Sequence, residues 1–122
     1  MTEPNMIILY VESPAASAAF YASLLGKPPV EASPTFAMFE MNANTMLGLW
    51  SRATVAPAAT QPGGGEIAFT LPDAAAVDAA HRQWQKQGLE IAQAPTEMDF
   101  GRTFVALDPD RHRLRVYAPA RP

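Results

Sequence analysis

The sequence predicts an α+β fold of two tandem βαβββ units, whose curved mixed sheets form a cleft with the helices on the outer faces. Three observations carry this. A short apolar run followed at once by a helix cap occurs near residue 6 and again near residue 66. Pairs of strand-like runs close each half, and a stretch rich in Pro, Ala and Gly separates the halves. A sheet with a helix on one face must cover its other face with a second unit or leave it concave around a ligand.

The elements follow in order. Met6 to Val11 is an unbroken apolar run of strand length. Ser13 then supplies an N-cap and Pro14 the first helical position, where its missing N–H costs nothing. The helix is expected over Ala15 to Leu25, with Phe20 and Leu24 on one apolar face and Gly26 as its stop. Pro28, Pro29 and Pro34 break the next stretch, and Phe36 to Met41 and Thr45 to Trp50 read as strands joined at Asn42 and Asn44. Residues 1–50 thus make the first unit. Residues 51–65 read as a linker with a mobile tip, and residues 66–122 as the second unit, one domain in all. In the second unit Glu66 to Leu71 is the strand, Asp73 the cap, and Val77, Ala80 and Trp84 the helical face ending at Gly88. Leu89 to Ala92, a loop holding Pro95, Arg102 to Leu107, the turn Asp108-Pro109-Asp110 and His112 to Tyr117 complete it.

Composition excludes several functions. The chain has 122 residues, a net charge of -3 and no run of Lys or Arg, so no nucleic-acid footprint is present. With no cysteine there is no disulfide, thiolate metal site or cysteine nucleophile, and a cytoplasmic location is expected. The apolar run at residue 6 is far short of the roughly 20 residues of a membrane span, so no membrane partner is expected. Gly63 to Gly65 lack the lysine of a phosphate loop.

The halves align numerically. Ser13 falls on Asp73 and Met6 on Glu66 at an offset of 60, while Leu47 to Trp50 fall on Leu114 to Tyr117 at an offset of 67. With that pattern, VESPAASAAFYASLLG and GRTFVALDPDRHRLRVY resemble the two signatures of the vicinal oxygen chelate superfamily, which includes glyoxalases, bleomycin resistance proteins and extradiol dioxygenases. SPTFAMF, LGLWS, EIAFTLP and DFGRTFVALDPD are similar to the phenazine antibiotic resistance proteins of that superfamily. The resemblance implies a homodimer. It also implies four metal-ligand positions, which here hold Met6, Gly48, Glu66 and Arg115. A divalent transition metal needs at least three protein donors, and a thioether, a missing side chain and a permanent cation do not supply them. No metal or other cofactor is expected, and no catalytic residue is assigned.

Alternation places the remaining candidates. His112, Leu114 and Val116 share one face of the last strand, facing the helix layer; Arg113, Arg115 and Tyr117 share the other. His112 then sits at the edge of the helix layer, and His81 on the second helix. By the same rule Met6, Ile8, Tyr10, Met46, Gly48, Trp50, Glu66, Ala68 and Thr70 point inward. Trp50 and Tyr10 offer flat faces to a planar ring, Met46 adapts to it and Gly48 leaves room. Arg115 either pairs with Glu66 or holds the carboxylate of an aromatic acid, as Arg113 also could. Phe100, Gly101 and Arg102 form a loop able to close over the ring, with Tyr117 beside them, while Met98 and Phe39 are weaker candidates. The favoured function is sequestration of a planar aromatic antibiotic or similar hydrophobic molecule without catalysis. The alternatives are a metal-dependent glyoxalase-like lyase or extradiol dioxygenase with ligands such as Glu40, Glu66 and His112, and a structural dimer with a filled core.

Overall fold

The computed structural model describes residues 4–61 and 64–120. The chain forms two compact units, Met1–Pro62 and Gly63–Pro122. The first holds β1 (Met6–Val11), α1 (Pro14–Leu25), β2 (Glu31–Ala32), β3 (Phe36–Asn42) and β4 (Thr45–Ser51). The second holds β5 (Glu66–Thr70), α2 (Ala74–Lys86), β6 (Glu90–Met98), β7 (Gly101–Leu107) and β8 (Arg113–Pro119). Both are βαβββ units. Their sheets have the orders β1-β4-β3-β2 and β5-β8-β7-β6, each with its first strand parallel to its last and the other pairs antiparallel.

The duplication extends to strand register. Met6 lies opposite Met46 and Glu66 opposite Arg113; Ile8 lies opposite Gly48 and Ala68 opposite Arg115. These pairs reproduce the offsets of 60 and 67 read from the chain. Both helices begin where a short oxygen-bearing side chain satisfies an orphan backbone donor. Ser13 Oγ accepts from Ala16 N–H at 3.1 Å, and Asp73 Oδ1 accepts from Ala76 N–H at 2.8 Å.

Each helix covers one face of its own sheet. α1 buries Pro14, Ser17 and Tyr21, so its contact stripe is centred on Tyr21, and Phe20 and Leu24 flank it half-buried instead of forming its centre. Tyr21 meets Phe39 at 6.5 Å between ring centroids, over a layer that includes Val11, Leu47 and Leu49. Phe39 is therefore a core residue and not a ligand contact. In the second unit Val77 packs on Phe104, Ala106, Val116 and Ala118, with Trp84 5.4 Å from the Phe104 ring. His81 rests edge-on against Phe104 at 5.3 Å, a helix-face role.

Three local expectations change. β2 forms between the prolines, held by Val30 N–H donating to Met38 O at 2.7 Å and by the Ser33 turn onto Phe36. Pro95 does not open a loop. It sits within β6, an edge strand whose register slips between Gln93 and Thr96, which accommodates a residue with no N–H to donate. The 51–65 segment starts as a fixed turn, with Thr54 and Val55 donating to Ser51 O and Val55 buried. Pro62 and Gly63, at its expected tip, lie outside the described residues.

Gly101 opens β7 at φ +139, and a Cβ there would collide with Ala118 O on β8. Gly88 also has positive φ, at +86, but faces open space. Gly88→Ala should therefore cost about 1 kcal/mol in urea unfolding, whereas Gly101→Ala should cost more than about 2 kcal/mol because it adds a backbone clash. Equal losses at the two positions would contradict this packing.

Candidate functional site

Alternation leaves the helix-free face of each sheet lined by a distinct set of side chains. In the first unit this face is apolar. Met6, Ile8 and Tyr10 on β1 are 39%, 41% and 40% exposed, as is Ile7 on the helix side at 42%. Beside them stand Met46 and Trp50 on β4, with Phe36 and Met38 on β3. Trp50 meets the Phe36 ring edge-on at 6.2 Å, which holds the indole in place. The room expected over Gly48 is taken: a Cβ at Gly48 would lie 3.0 Å from Phe36 Cζ and 3.3 Å from Ile8 Cγ1. Gly48 thus seats Phe36 and is covered by it. Sequence reasoning missed Phe36, although its alternation with Met38 could have found it.

The helix-free face of the second unit is charged and aromatic. Arg115 Nε donates to Glu66 Oε1 at 2.6 Å, while its Nη1 donates to Thr103 Oγ1 at 3.1 Å and to Gln93 Oε1 at 3.4 Å. Thr103 is itself fully buried and donates to Val116 O at 2.9 Å, so the guanidinium is held by a fixed frame. The Arg115 Cζ lies 5.8 Å from the Phe100 ring centroid, and Phe100 packs edge-on against Tyr117 at 5.9 Å. Ala68 and Thr70 share the face, exposed beside this group. Gln93 was not anticipated, because its strand face could not be set before the β6 irregularity was known; Thr103 was missed although alternation with Val105 could have found it.

Arg102 departs from expectation. It lies on β7 on the helix side, with Nε donating to Asp78 Oδ1 of α2 at 2.7 Å and Nη1 to Glu97 Oε1 at 3.3 Å. The hydrogen bond to Asp78 raises its pKa above the ordinary arginine value. One residue of alternation from Gly101 puts it on the face opposite Arg115, so it does not close over a ring held there. Met98, half-exposed, has its sulfur 3.8 Å from Gln93 Nε2.

The stretch from Asp108 to His112 is a self-contained turn. Asp108, 4% exposed, is more than a turn former: its Oδ1 accepts from the N–H of Asp110 at 2.9 Å and of His112 at 2.8 Å. Its Oδ2 lies 2.7 Å from His112 Nδ1. His112 and Glu66 point to opposite faces of one sheet, since His112 precedes Arg113, the residue opposite Glu66.

A family-type metal does not fit the donors present. Of Met6, Gly48, Glu66 and Arg115 only Glu66 carries an oxygen donor, and that carboxylate is engaged by a permanent cation. Among the described residues no group of three or more His, Asp or Glu is placed to hold a metal.

The model of the Glyoxalase/Bleomycin resistance protein/Dioxygenase superfamily matches residues 4–116. The chain belongs to this superfamily. It is also 33% identical over 116 residues to the phenazine antibiotic resistance protein EhpR of Enterobacter agglomerans, covering 93% of this chain and 89% of that one. The solution structure of protein ATC0852 from Agrobacterium tumefaciens is 52% identical, with a TM-score of 0.89 and coverage of 99% and 100% of the two chains. A glyoxalase-related enzyme from Fulvimarina pelagi, 21% identical, has a TM-score of 0.83 over 97% of this chain and 88% of its own, a likeness of fold. No helix of the described residues is long and apolar enough to cross a membrane.

Two outcomes test this site. Asp108→Ala strands two backbone N–H groups and should cost about 2–3 kcal/mol in urea unfolding; a loss under about 0.5 kcal/mol would remove its structural role. After treatment with chelator and dialysis against Zn, Ni, Mn or Fe(II), elemental analysis should find far less than one metal per chain, and near-stoichiometric metal would overturn the reading of the donor set.

Proposed function

We propose that this protein is a metal-free binding protein that sequesters a planar aromatic small molecule of the phenazine kind, working as a homodimer. The observation that carries the proposal is the apolar and aromatic helix-free face of the first sheet, where exposed Tyr10 stands with half-buried Met46, Trp50 and Phe36. Burial against such a surface and stacking on a held indole supply affinity without any reacting group. Similarity to a phenazine resistance protein supports the same ligand class. The helix-free face of the second unit by itself carries Phe100 and Tyr117 beside the Arg115–Glu66 pair, and Gly101 lets the chain turn from Phe100 into β7.

The two tryptophans separate binding from structure. Trp50 lies on the open face, whereas Trp84 is packed between Phe69 and Phe104 under α2. Titration with unsubstituted phenazine should quench wild-type tryptophan emission. Trp50→Ala should weaken binding about tenfold or more, the loss of a stacked aromatic contact and its buried area. Trp84→Phe should leave the affinity within a factor of two, roughly, since that indole packs against Phe69 and Phe104 on the helix side of its own sheet. No saturable quenching in the wild type, or equal affinity in Trp50→Ala, would contradict the proposal.

A further inference from the structure

All sulfur in this chain is thioether sulfur, and half of it stands on one face of one small sheet. The sequence has six methionines and no cysteine. Met6, Met38 and Met46 lie on the helix-free face of the first sheet, on the three neighbouring strands β1, β3 and β4. Met6 is opposite Met46, and Met38 is opposite Gly48, two residues along β4 from Met46. Neighbouring strands lie about 4.8 Å apart and alternate residues about 7 Å apart along a strand, so side chains of this length form one patch. Met6 is 39% exposed, and Met38 and Met46 are half-buried. The ring of Phe36, seated over Gly48 and edge-on to Trp50, joins this thioether patch to the aromatic end of the same face. Leucine or isoleucine would supply the same apolar surface. What methionine adds is a sulfur lone pair that a peroxide can reach.

We propose that Met6, Met38 and Met46 form an oxidative modification site, at which a hydroperoxide turns the thioethers into sulfoxides and the face releases its aromatic ring. The release rests on the ring-binding reading above, while the modification rests on the placement of the three sulfurs alone. In each step a sulfur lone pair attacks the terminal oxygen of the hydroperoxide. The S–O bond forms as the O–O bond breaks, and the proton of the attacked oxygen passes to the departing one, which leaves as water or an alcohol. Sulfur is oxidised by two electrons and the peroxide is reduced by two. A sulfoxide carries a strongly polar S–O group, and an apolar ring laid over it takes that group out of water unpaired. Three such groups beside Tyr10, Phe36 and Trp50 convert an apolar surface into a polar one. A ring already seated on the patch covers the sulfurs and slows the reaction.

The test treats the protein with hydrogen peroxide, removes the excess, locates each added oxygen by peptide mass spectrometry and measures phenazine affinity by tryptophan quenching. Wild type should gain oxygen at Met6, Met38 and Met46 and bind phenazine about tenfold or more weakly, the cost of burying unpaired polar groups. Methionine sulfoxide reductases for both epimers should restore the affinity. The triple variant Met6→Leu, Met38→Leu, Met46→Leu keeps Met41 and Met98, and its affinity, whatever its starting value, should be the same before and after peroxide. Absence of added oxygen at the three positions, unchanged affinity in oxidised wild type, or an equal peroxide effect in the triple variant would overturn the proposal and leave ring binding in place. Should phenazine fail to bind untreated protein, the ring-binding reading falls and the dye ANS, which takes up exposed apolar surface, decides. Loss of dye emission after peroxide in wild type and not in the triple variant supports the modification site; equal loss in both, or none in wild type, overturns it.

Discussion

A four-stranded sheet has two faces, and each unit of this chain has a single helix with which to cover them. α1 and α2 settle on one face by burying Tyr21 in one case and Val77 in the other. Side chains that alternate away from the helix are left on the second face whatever their chemistry. The sequence then determines what that face does. In the first unit it bears Met6, Ile8, Tyr10 and Trp50; in the second, Glu66, Arg113, Arg115 and Tyr117. The two units are equivalent scaffolds, and different residues at equivalent positions make one face apolar and the other charged.

The pair of Gly48 and Arg115 shows how far that divergence goes. They occupy equivalent positions on β4 and β8. At the first, loss of a side chain lets Phe36 fold over the strand and support Trp50. At the second, a guanidinium engages the one carboxylate that a metal would have needed. The first position leaves its face apolar and aromatic, and the second leaves its face polar and charged.

Much of this was legible in the chain because it depends on local chemistry. Ser13 and Asp73 announce their helices through caps, and Leu114 and Val116 fix the face of Arg115 by period alone. The fold class followed from those signals and from the repeat, and the superfamily from the resemblance carried by VESPAASAAFYASLLG and GRTFVALDPDRHRLRVY. What could not be read depends on partners distant in sequence. Arg102 goes to the helix side because Asp78, 24 residues earlier, waits there. Pro95 stays in a strand because β6 is an edge with a slipped register, and that slip sets where Gln93 lies. Asp108 looks like any turn residue until its burial is seen.

The central claim is that the helix-free face of the first sheet is a ligand surface and not unfilled core. Intermolecular NOEs between the ring protons of a bound phenazine and isotope-labelled protein test it most directly. The account predicts contacts to Tyr10, Met46 and Trp50 and none to Trp84 or Phe104. Contacts confined to the helix side, or none at saturating ligand, would contradict it.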